Sequence, residues 1–177
     1  MAPKSGLLYR NRYRVPSARL QGWDYGLGGA YFVTLCTQNR ICYFGEIVEA
    51  GLLPSPPAEI VAEEWEATPR IRPHVHLDAW VVMPNHFHGI LLIDSPRFSE
   101  GRRPLGTIIG KFKSACTHRI WAAGRRDFAW QPRFHDHIIR DEESLLNLRR
   151  YIQENPLRWK EDRLHPDAPD PARSRKK

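Results

Sequence analysis

Four β-rich runs interleaved with three stripes of helical period predict an α+β sandwich, in which helices cover one face of an antiparallel sheet. The prediction rests on the runs at 31–37, 77–83, 86–93 and 133–140, on the stripes within 55–69, 107–120 and 141–152, and on their order. That order is strand, helix, strand, strand, helix, strand, helix. One domain is expected, because 177 residues with 41% apolar content build one core and hardly two.

Each element has a local reason. YFVTLCT (31–37) is rich in β-branched and aromatic residues and follows the turn-like GLGG, so it reads as a buried strand. Ser55 before Pro56 and Pro57 reads as a helix start; Ile60, Val61, Glu64 and Trp65 keep helical spacing, and Pro69 is expected to stop it. LDAWVVM (77–83) and HFHGILLI (86–93) are two strands separated only by Pro84 and Asn85, the proline ending the first because it cannot donate to a ladder. From Thr107 the period becomes helical, with Ile108, Ile109, Phe112, Ala115, Cys116 and Ile120 on one stripe and Lys111, Lys113 and Arg119 off it. RFHDHIIR (133–140) alternates as a fourth strand, and Asp141 caps a last helix whose apolar stripe is Leu145, Leu148 and Ile152.

Charge narrows the partner. A net charge of +7 and a pI near 9.6 suit a polyanion. Residues 1–23 carry Lys4, Arg10, Arg12, Arg14 and Arg19 without an acid, interleaved with Tyr9, Tyr13 and Trp23, a composition that suits phosphates and unstacked bases together. The same stretch also fits a solvated leader. The tail HPDAPDPARSRKK is proline-rich, then basic, and is expected to be disordered. No apolar run approaches the ~18 residues of a membrane span and no secretory signal is visible, so a cytoplasmic protein without a membrane partner is expected. Cys36, Cys42 and Cys116 form no CxxC pair and read as buried thiols. GTIIGK (106–111) is one residue too short for a phosphate loop and is followed by Phe112, so ATP is not an expected substrate.

Three His-x-His pairs compete as sites: His74/His76, His86/His88 and His135/His137. Alternate strand residues share a face, so each pair on a strand projects two imidazoles together. His74 and His76 follow Pro73 before a strand and read as solvated loop residues. His86 and His88 open a long buried strand, where unpartnered imidazoles are costly. Alone, that pair fits a metal site and two satisfied core histidines equally well. In SLLNLRRYIQENPLRW, however, Tyr151 and Asn155 are four residues apart on one side of the last helix, at the border of the stripe that must pack on the sheet. Pro156 disfavours helical geometry at Asn155, which predicts a fraying or kinked end there.

HFH with its MPN lead, YFVTLCTQNR, IIGKFKSA, WQPRFHDHIIR and YIQENPLRW together resemble the single-tyrosine HUH transposases, and among them the REP-associated tyrosine transposases. The resemblance runs from about Leu20 to about Asp162, with all motifs in order. It implies a ferredoxin-like fold with a central antiparallel sheet. It also implies that His86 and His88 are the HUH metal ligands, that Tyr151 is the nucleophile and that Asn155 completes the metal site. In related insertion-sequence enzymes a glutamine can fill this last position. The implied cofactor is Mg²⁺ or Mn²⁺ and the implied partner single-stranded or hairpin DNA from palindromic repeats, cut through a 5′-phosphotyrosine. His137 is a candidate base for the phenol. Arg10, Arg12, Arg14, Arg19, Lys111 and Lys113 are expected to grip DNA. The branch suggests a monomer, whereas related transposases act as dimers. The implied organisation is a basic arm (1–23), a transposase domain (24–163) and a basic tail (164–177). Two other classes remain open: a non-catalytic nucleic-acid-binding protein derived from a transposase, and a phosphodiesterase that uses water in place of tyrosine.

Overall fold

In the computed structural model the described residues are 8–9, 13–14, 29–49, 51–94 and 104–168. In chain order they form β1 (Leu8–Tyr9), β2 (Tyr13–Arg14), β3 (Gly29–Cys36), β4 (Gly45–Val48), β5 (Gly51–Pro54), α1 (Pro56–Ile71), β6 (Val75–Met83), β7 (His86–Ile93), α2 (Pro104–Ala122), β8 (His135–Ile139) and α3 (Glu142–Glu154). A 3-10 turn, Pro156–Glu161, follows α3. The short strands β1 and β2 pair with each other, and β4 with β5.

The central sheet runs β6-β7-β3-β8 and every pairing is antiparallel. Its first and second strands in the chain, β3 and β6, flank β7, and β3 lies between β7 and β8, which is the split crossover order of a ferredoxin-like sandwich. The expected α+β class and antiparallel sheet are therefore present.

Helices α1 and α2 cover one face of the sheet, as expected of the sandwich, and α3 covers the other. Tyr31, Val33, Leu35, Phe87 and Leu91 pack with Val61 and Trp65 of α1 and with Ile109 and Phe112 of α2. Ala30, Ile90 and Leu92 point the other way and pack with Leu145 and Ile152 of α3. The cause is β7, which is buried at every residue. A strand apolar on both sides needs cover on both sides. Trp65 anchors the first face, its ring 4.7 Å from Phe87 and 5.2 Å from Phe112. The neighbouring strand position is Gly89, where an added Cβ would stand 2.6 Å from Trp65.

Local departures have local reasons. Pro69 lies inside α1, which continues to Ile71; so near the C-terminal end, the ring removes one hydrogen bond and breaks no further turn. The β4–β5 hairpin fell in a stretch read as having no strand. Gly45 opens it at φ +119°, where a Cβ would collide with the Leu53 carbonyl. Asn155 keeps right-handed helical angles (φ −56°, ψ −44°) despite Pro156, because buried Ile152 and Trp159 hold the chain on both sides of it. Order also extends past residue 163: Leu164 accepts a hydrogen bond from Asn85, and Ala168 closes a turn on His165. The rest of the basic tail, 169–177, lies outside the described residues, as does most of the arm. Cys36 and Cys116 are buried as expected, but Cys42 is exposed. No described helix is long and apolar enough to cross a membrane.

Candidate metal and tyrosine site

Strand geometry puts His86 and His88 on the sheet face that α3 covers, with ring centroids 4.6 Å apart. Both are buried, and each is oriented by its Nδ1. The His86 Nδ1–H donates to Asn85 Oδ1 at 2.8 Å. The direction is set by the Asn85 amide, whose Nδ2 donates to the backbone oxygens of Arg40 and Leu164 and leaves Oδ1 as the acceptor. Nε2 of His86 therefore carries a lone pair. His88 Nδ1 lies 2.8 Å from Thr34 Oγ1, its cross-strand neighbour on β3. Burial pushes both imidazoles down to about 3, so both are neutral near pH 7.

Helix α3 brings the phenol to them. Asp141 caps its first turn, accepting from the Ser144 N–H at 2.7 Å, and Leu145 and Ile152 seat it on the sheet. Arg149 grips both carboxylate oxygens of Asp78 on β6, fixing the helix two residues before the tyrosine. The Tyr151 hydroxyl stands 3.4 Å from His88 Nε2, and Phe32 fills the space beneath, stacked on His88 and edge-on to Tyr151. Tyr151 is 44% exposed, whereas Asn155, four residues on, is 3% exposed. Burial, then the Asp162 charge, raise the phenol's pKa, while Asn155 and Arg163 lower it. The folded site thus holds Tyr151 protonated at neutral pH.

Two buried polar atoms in this cluster have no hydrogen-bond partner, His86 Nε2 and Asn155 Oδ1. The Asn155 amide favours the charged form of His86 without making a hydrogen bond to Nε2. Unpaired buried acceptors of this kind fit a cation, and an imidazole and amide-oxygen donor set is compatible with a divalent one. A carboxylate that sequence reasoning missed joins them. Asp162 lies with His86 and His88 in a group whose ligand atoms are all within 4.8 Å of one another. Asn85 was also missed, having been read only as a turn residue. Neither has a spacing that relates it to HFH; the only hint was that Asn85 directly precedes the pair.

The remaining expected residues are more scattered. His137 is exposed on edge strand β8, paired with Phe32 and so on the same face as His88. His76 binds Asp94 at 2.7 Å, away from the site. Lys111 is exposed on α2. Lys113 is not: its Nζ donates to the Gln131 backbone oxygen and lies at the edge of hydrogen-bond range of those of Pro132 and Arg133. Arg119 is committed to Glu63 and Glu64 of α1. Arg10, Arg12 and Arg19 lie outside the described residues, and for Arg14 only the backbone is described, in β2.

No family model matches the chain. A Haemophilus influenzae protein described only as uncharacterised is 34% identical over 169 residues, spanning 85% of this chain and 93% of that one. A REP-associated tyrosine transposase of Escherichia coli is 28% identical over 134 residues, 76% of this chain and 70% of its own. The solved structure of a REP-associated tyrosine transposase bound to a REP hairpin superposes with a TM-score of 0.55 at 25% identity, covering 80% of this chain and 74% of that one. Fold, motif order and these relatives agree: in sequence and in structure the chain is similar to the REP-associated tyrosine transposases.

Proposed function

We propose that the chain is a metal-dependent endonuclease and strand transferase for single-stranded DNA, cutting through a covalent 5′-phosphotyrosine at Tyr151. The observation that carries the reading is the meeting of the Tyr151 hydroxyl with His88 at 3.4 Å, beside two buried acceptors that lack partners. In this reading His86, His88 and Asn155 hold Mg²⁺ or Mn²⁺, which when bound supplies positive charge to the scissile phosphate.

The chain's own groups do the rest. Tyr151 oxygen bonds to phosphorus as the bond to the 3′ oxygen breaks, and the phenolic proton passes to a base while the leaving oxygen takes one up. His88 Nε2 faces the phenol but is a proposed ligand, so His137, exposed on the same sheet face, is the proposed base. The phosphotyrosine retains the energy of the broken bond, so rejoining strands needs no ATP. Tyr151 reaches the histidines of its own chain, which supports a monomer as the working unit. An exposed tyrosine on a helix favours a splayed single strand over a stacked duplex. A REP hairpin is the ligand of the structural relative, and a hairpin-forming palindrome is the proposed substrate here, gripped by the basic arm and Lys111.

The test is a denaturing gel after incubation with end-labelled single-stranded hairpin DNA and Mn²⁺. A labelled protein band that disappears in Tyr151→Phe supports the reading. A band that persists in Tyr151→Phe removes the tyrosine assignment, cleavage without a band favours water as nucleophile, and binding without cleavage favours the non-catalytic class.

A further inference from the structure

Asp162 belongs to no motif of the sequence, yet its side chain is only 7% exposed and stands against the histidine pair. It caps the C-terminal end of the 3-10 turn that follows α3. Oδ1 accepts from the Leu164 N–H at 2.6 Å and is committed to the backbone. Oδ2 lies 3.8 Å from His86 Nε2, beyond hydrogen-bond range. This contact is unfavourable as it stands. The ring proton of His86 is on Nδ1, held by Asn85, so Nε2 turns a lone pair toward a carboxylate oxygen in a nearly dry place. Two buried acceptors facing each other are stabilised by a cation between them.

We propose that Asp162 is a ligand of the same metal ion as His86 and His88 and supplies the anionic oxygen of the site. This rests on the metal-dependent reading above. Ligands about 2.1 Å from an ion stand about 3.0 Å apart in adjacent octahedral positions and about 4.2 Å apart in opposite ones. The 3.8 Å separation falls between those values, so side-chain movements of under about 1 Å bring both atoms to one ion. The carboxylate also gives the donor set the hard character that Mg²⁺ and Mn²⁺ require and that two imidazoles lack. The segment is built to hold it there. Arg40 Nη1 donates to the Arg163 oxygen at 3.2 Å and Asn85 Nδ2 to the Leu164 oxygen at 2.7 Å, with Trp159 buried behind. One amide, that of Asn85, thus sets the tautomer of His86 and anchors the segment that carries Asp162.

The experiment is titration of Mn²⁺ into the full chain without DNA, followed by the electron paramagnetic resonance of free Mn²⁺, on wild type, Asp162→Asn and His86→Ala. Asparagine keeps the acceptor for the Leu164 N–H and removes only the charge. Asp162→Asn is expected to weaken Mn²⁺ binding by about tenfold or more and to shrink the Mn²⁺-induced rise in Tm. Its Tm in EDTA should not fall below that of wild type, because the repulsion at His86 Nε2 is relieved. If Asp162 instead pairs with a protonated His86, the EDTA Tm drops and Mn²⁺ affinity stays within about twofold, which overturns the proposal. Loss of binding in His86→Ala with retention in Asp162→Asn overturns the Asp162 assignment alone. Absence of binding in wild type, or unchanged binding in His86→Ala, overturns the metal-dependent reading beneath it.

Discussion

Acid should destabilise the metal-free protein through His86 and His88. Burial holds both rings neutral in the folded state down to about pH 3. The unfolded chain protonates them near ~6.5. Between those values unfolding takes up protons, so stability falls as pH falls; above about 6.5 the two rings add no slope. From pH 7.5 to 5 the loss is about 2 kcal/mol for each ring and about 4 kcal/mol for the pair, a large share of the ~5–15 kcal/mol typical of a domain. The assay is urea unfolding in EDTA at several pH values between 7.5 and 5, for wild type and His86→Gln/His88→Gln. The exposed histidines are common to both proteins and cancel in the difference. Wild type should lose about 4 kcal/mol more than the variant, and either single variant should remove about half of that gap. Parallel stability curves for wild type and double variant would refute the reasoning, since the rings would then titrate alike in folded and unfolded chains.

Three further outcomes are expected. Gly89→Ala should cost about 1–3 kcal/mol, because its methyl meets Trp65 at 2.6 Å and the Phe87 ring at 2.8 Å in a filled core; an unchanged Tm would show that these rings shift freely. Arg149→Met should cost about 2 kcal/mol by leaving Asp78 without its partner, and Asp78→Asn/Arg149→Met should recover part of that loss; strictly additive losses would show that the pair does not hold α3. Removing residues 1–19, with five cations and no acid, should weaken single-stranded DNA binding and reduce the salt slope by about 0.7 for each lost phosphate contact, while cleavage at saturating DNA persists. An unchanged slope would make the arm a solvated leader.

The strands and helices of the sandwich were legible in the sequence because each rests on neighbours. β-Branched and aromatic composition marked β3, helical spacing marked α2, Asp141 marked the start of α3, and a period of two placed His86 and His88 on one face without any knowledge of the partner strands. The spacing of Tyr151 and Asn155 likewise survived folding, because four residues of helix is a local distance. What the chain's local patterns left open is what meets across the sheet. The all-apolar β7 does not say which helix covers which side, and α3 took the face opposite α1 and α2. Lys113 and Arg119 are cations by composition, but backbone oxygens at 131–133 and the glutamates of α1 decide that they are occupied. Asp162 and Asn85 carry no periodicity toward the histidines at all. Their place beside His86 comes from a turn closed after α3 and an amide bridging two distant carbonyls, contacts between segments far apart in the chain that form only when the tertiary structure brings those segments together.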